Sequence, residues 1–156
     1  MNNNQEALYK EIDLIQSCIT RMAQNSFMVK GWLISILAVV FALLPEKVNL
    51  RFLCLLGFII IFCFWYLDGF FLKAERLYRW KYEWVITQRL NSTEYVFDLN
   101  PYNKNMWLNK ENNKERAEPS ITCVMFSKTL LPLYGPLFAL VVFMFINSYT
   151  GWIDVL

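Results

Sequence analysis

One carboxylate, Asp68, stands inside the otherwise uncharged apolar run 52–72. An ionised carboxylate in hydrocarbon costs about 2.5–3.5 kcal/mol on insertion scales, so it needs a cation or water beside it. Lys30 opens the preceding apolar run, 31–44, and Asp68 lies near the far end of the next. A connection of about six residues makes the two runs an antiparallel hairpin, which brings Lys30 and Asp68 to the same end. The same register places Arg21 level with Glu75 and Arg76, so Arg21 with Glu75 is a second expected ion pair. The alternative for Asp68 is a ring of carboxylates at the mouth of an oligomeric pore.

Other chemistry is sparse. The chain has no histidine, which removes the commonest general base and the commonest metal ligand. Its four cysteines, Cys18, Cys54, Cys63 and Cys123, form no CxxC pair and read as small buried apolar residues. There is no GxGxxG, P-loop or GxSxG. No catalytic residue, cofactor or metal is expected, and the chain does not read as an enzyme. Arg76, Arg79, Lys81 and Arg89 could receive an anionic ligand or lipid headgroups.

The elements that would position these groups are apolar helices. Residues 130–149 hold twenty positions without a charge, enough at about 1.5 Å each to cross a hydrocarbon core of roughly 30 Å. With 31–44, extended backwards through Phe27 if Lys30 snorkels, and 52–72, they make three expected spans. The composition agrees: 56% hydrophobic, 17% aromatic. The net charge of +2 is too small to argue for nucleic acid. Thirteen of fifteen basic residues lie before residue 31 or between 73 and 128, which predicts a cytoplasmic N-terminus and an outer C-terminus in a bacterial inner membrane. Trp32, Tyr149 and Trp152 fit interfacial belts. The expected fold is an all-α membrane protein of three transmembrane helices.

Four segments follow. Residues 1–30 form an amphipathic helix continuous with the first span. Its Leu8, Ile12, Ile15, Ile19 and Met22 are spaced 4-3-4-3, a heptad seam. That seam packs against the extension of the second span, joins copies in a homo-oligomer, or lies on the membrane surface. Residues 31–90 are the hairpin, whose second helix runs on into the cytoplasm with Glu75 and Arg79 as an i,i+4 pair. Residues 91–129 are a polar loop segment with a strand-like alternation at Tyr95, Phe97 and Leu99. Residues 130–156 are the third span and tail, with Pro136 expected to kink the helix.

Residues 21–32, RMAQNSFMVKGW, resemble small bacterial membrane proteins that share an RMAxNSFxxKGW stretch. The resemblance continues at Phe64-Trp65-Tyr66-Leu67-Asp68 and Glu75-Arg76-Leu77-Tyr78-Arg79, and more weakly near Phe97 and Phe126. The layout is similar to the two-span SLATT-type effectors of bacterial defence, from which a third span departs. That likeness implies a homo-oligomeric effector that permeabilises the inner membrane in antiphage defence, under a cytoplasmic signalling protein or nucleotide ligand. A second reading needs no likeness: a membrane anchor or adaptor that recruits a cytoplasmic protein through residues 91–120.

Overall fold

The computed structural model describes residues 3–43, 49–89, 91–107 and 116–150, and every regular element among them is helical. Helix α1 runs Asn3–Leu43, α2 Leu50–Gln88, α3 Ile121–Met125 and α4 Leu131–Thr150, with a 3-10 turn at Lys104–Met106. The arm before Lys30 and the first apolar run are one uninterrupted helix, and α2 likewise continues past its apolar run. Asn49 starts α2 by accepting the Arg51 N–H on its side-chain oxygen at 2.9 Å, as an N-cap does. Helix α4 continues through Pro136, although proline removes one i→i−4 donor from its ladder. Three helices are long and apolar enough to cross a membrane. In their most apolar windows only 22%, 28% and 17% of residues are buried. The remaining apolar surface calls for an apolar solvent, which marks a multi-span membrane protein. The expected Trp152 belt and most of the 45–51 connection lie outside the described residues.

The chain divides into two units. The polar unit holds Met1–Asn25 and Phe70–Ser120, and the apolar unit Ser26–Gly69 and Ile121–Leu156. In the polar unit four of the five seam residues pack within the chain. Ile15, Trp84, Val85 and Met106 form a buried core, with Leu8, Ile12, Ile19, Tyr82 and Leu99 against it. Trp107 is buried beside it; its Nε1 donates to Pro101 O at 2.9 Å and its ring meets Trp80 edge-on. Met106 and Trp107 thus turn a polar loop segment into folded structure. The strand-like alternation at Tyr95–Phe97–Leu99 does not form a strand. Tyr95 and Phe97 take φ of 56° and 54°, left-handed values that reverse the chain instead of extending it.

In the apolar unit, buried Val29, Leu33, Leu37 and Val40 recur on α1 at spacings of three and four, the period of one helix face. Trp65 on α2 stacks on Tyr134 of α4 with centroids 5.5 Å apart, and its Nε1 donates to Met125 O of α3 at 2.9 Å. Gly69 permits that approach, since a Cβ there would stand 2.9 Å from Met125 Cγ. Cys18 and Cys54 are buried, as their apolar reading requires, whereas Cys63 and Cys123 are exposed; all four are thiols.

Candidate functional site

Three helices of the apolar unit converge on Asp68. Its side chain is wholly buried, and that of Lys30 is 26% exposed. Lys30 Nζ lies 2.7 Å from Oδ2 and donates to Oδ1 at 2.9 Å. Ser26, one turn before Lys30 on α1, donates its hydroxyl to Oδ1 at 2.5 Å and accepts from Lys30 Nζ at 2.7 Å. Tyr134 of α4 places its hydroxyl 3.0 Å from Oδ2, with Phe64 O at 3.3 Å. Each carboxylate oxygen thus meets two donor groups, one of them charged, which is what a buried charge requires. The arrangement neutralises Asp68 and ties α1, α2 and α4 together at one point.

Lys30 and Asp68 meet as their register predicts. Ser26 and Tyr134 carry half of the cage, and the hairpin register does not point to either. Ser26 had a readable signal, since it stands four residues before Lys30 on the same helix face. Tyr134 had a weaker one, as a hydroxyl among aliphatic and aromatic residues between Pro132 and Pro136.

The second expected pair does not form. Arg79 takes Glu75, at 2.7 Å and one turn away on α2, and Arg21 donates to Cys18 Sγ at 4.0 Å instead. Arg21 is exposed, off the Ile15–Cys18 side of α1 that is buried. The expected cluster of anion receivers also separates. Arg79 is exposed and Arg76 half-buried, but Lys81 and Arg89 are consumed inside the polar unit. Lys81 is buried, donates to Asn100 O at 2.8 Å and lies 3.3 Å from Asp98. Arg89 makes a two-pronged pair with Glu11, Nε to Oε2 at 2.7 Å and Nη2 to Oε1 at 2.5 Å. Its guanidinium also gathers the carbonyls of Ser92, Glu94 and Tyr95, which holds the left-handed turn region in place. Among the described residues no three His, Cys, Asp or Glu side chains converge, so none is assigned to a metal.

Asp98 contributes to the acid response of the polar unit. Burial alone would raise its pKa. The Asn103 amide, the Asn100 N–H and the Lys81 ammonium outweigh that and hold the carboxyl below the usual carboxylate range. A depressed carboxylate stabilises fully above its unfolded pKa of about 3.9, and that contribution is lost as the pH falls through the folded value. Tryptophan fluorescence of detergent-solubilised protein should therefore hold steady down to about pH 5 and shift below about pH 4. Asp98→Asn should weaken the unit at neutral pH and remove part of that acid step. Parallel acid titrations of the two proteins would assign the step to another group.

No protein-family model, curated protein or solved structure matches the chain.

Proposed function

We propose that this protein is a non-conducting anchor of the bacterial inner membrane that presents its polar unit to a cytoplasmic partner. The observation that carries this reading is the enclosure of Asp68. The carboxylate is spent within one chain on Ser26, Lys30 and Tyr134, and so does not line a water-filled mouth. The outward faces of the spans agree with it, being aliphatic and aromatic at Phe52, Ile59, Phe62, Leu140 and Phe143. A recognition surface is available in the polar unit, where Tyr95, Val96, Phe97 and Tyr102 are all exposed. Arg89 fixes the carbonyls beside them, so this surface is pre-formed.

A second reading, a homo-oligomeric effector that permeabilises the membrane in antiphage defence, is favoured by the likeness of the helix layout to SLATT-type effectors. Leu8, Ile12, Ile15 and Ile19 of the seam are engaged inside the chain, so assembly in that case would use other faces, such as exposed Phe27 and Trp32. Dye-loaded proteoliposomes separate the two readings. The anchor is expected to leave dye retention at the level of empty vesicles, while a photo-crosslinker at position 97 in cells captures one discrete cytoplasmic protein. Dye release that scales with protein density, or depolarisation of expressing cells, would put the effector ahead.

A further inference from the structure

Helices α2 and α4 leave an apolar groove of about 480 Å³ between them, lined by Phe58, Ile59, Phe62, Cys63, Phe138 and Val142. Its walls are open to the surroundings: Ile59 is 62% exposed and Phe62 60%. The groove does not stand alone. On α2, Arg51, Phe58 and Phe62 follow one another at seven and four residues, so they share a helix face. On α4, Phe138, Val142, Phe145 and Tyr149 do the same at four, three and four. The two faces meet ring to ring, with Phe58 5.2 Å from Phe138 and 6.0 Å from Phe145, and Phe145 5.4 Å from Tyr149. At the end of this track the Arg51 guanidinium lies over the Tyr149 ring, 4.3 Å from its centroid.

Arg51 is exposed, and its acceptor among the described residues is the Ser148 carbonyl, at a long 3.5 Å. The groove begins about 10 Å along the helix from it and ends about 17 Å away, at 1.5 Å per residue. That is the depth of one leaflet of a hydrocarbon core roughly 30 Å thick. A guanidinium at the head of an apolar track of this depth matches one kind of molecule, an anion joined to a hydrocarbon chain. An apolar helix from a second copy would fill the groove and bring no anion to Arg51.

We infer that this track binds an anionic phospholipid, its phosphate on Arg51 and one acyl chain in the groove between α2 and α4. The binding is independent of whether the protein anchors a partner or permeabilises the membrane.

Native mass spectrometry of the full chain in mild detergent tests it, with phosphatidylglycerol and phosphatidylcholine of identical acyl chains added as probes. Wild type should retain the anionic lipid about fivefold better, the effect of one basic group at a membrane surface. Arg51→Gln should bring the two lipids level, and Val142→Trp, which fills the groove, should reduce retention of both. A Phe62→Trp reporter keeps the acyl-chain arm readable if Val142→Trp fails to fold: brominated phosphatidylglycerol chains should quench the emission it adds to that of the six native tryptophans, and less so when Arg51→Gln is added. Equal retention of both lipids by wild type, or an anionic preference that survives Arg51→Gln, overturns the inference. So does a lipid-free dimer that Val142→Trp dissociates, which would give the groove to a second copy.

Discussion

Asp68→Ala will destabilise the apolar unit by about 3–5 kcal/mol, the usual result of removing one member of a buried pair. The loss exceeds that of one contact because three groups are stranded together. Lys30 loses its carboxylate with its side chain three-quarters covered, and the Ser26 and Tyr134 hydroxyls lose their strongest acceptor. Lys30→Met with Asp68→Leu should recover the part of the loss that the stranded ammonium causes, while the Ser26 and Tyr134 hydroxyls still lack the carboxylate. The unfolding midpoint in a denaturing-detergent titration reads both effects. A double variant no more stable than Asp68→Ala would mean that the pair is not what Asp68 contributes.

The polar unit has its own point of failure. Glu11 and Arg89 have side chains only 1% and 8% exposed, and Arg89 also holds three carbonyls of the 92–95 region. Glu11→Gln leaves a buried guanidinium without its carboxylate and should cost about 3–5 kcal/mol. Arg89→Lys should do comparable damage, because an ammonium cannot bridge two carboxylate oxygens and gather carbonyls together. Tyr95 and Phe97 should then leave their left-handed conformations, each of which costs about 1–3 kcal/mol to maintain. Chymotrypsin should cut at those two residues in the variants and spare them in wild type. Equal protection in all three proteins would show that the hub does not hold the turn region.

The parts of this fold that were readable are those that a local rule governs. Lipid thickness dictates span length, so 52–72 and 130–149 stand out, and the described helices run through both. A short hairpin connection fixes relative depth, which is why Lys30 and Asp68 could be matched. Helical period placed the seam, and Leu8, Ile12, Ile15 and Ile19 of it pack together with Trp84 and Val85. What escaped depends on contacts distant in sequence. Glu11 and Arg89 are 78 positions apart, Asp68 and Tyr134 are 66 apart, and no spacing rule links either pair. Lys81 stands among Leu77, Tyr78, Trp84 and Val85 on a buried, apolar face of α2, so its burial follows from the helix period; only the fold of 98–100 onto it shows which groups receive its charge. Alternation of Tyr95, Phe97 and Leu99 imitated a strand, because period two carries no information about the sign of φ.

The cage around Asp68 also sets an order of events in time. When the ribosome adds Asp68, its partners Ser26 and Lys30 already exist, while Tyr134 lies 66 residues downstream. At synthesis rates of about 5–20 residues per second, that interval lasts roughly 3–13 s. During it the carboxylate can enter the bilayer already neutralised by Lys30 but with Oδ2 still lacking its phenol. The last helix to be made therefore arrives at a half-finished site, and completing that site gives α4 a chemical reason to dock against the first two helices, beyond the lipid's preference for an apolar rod.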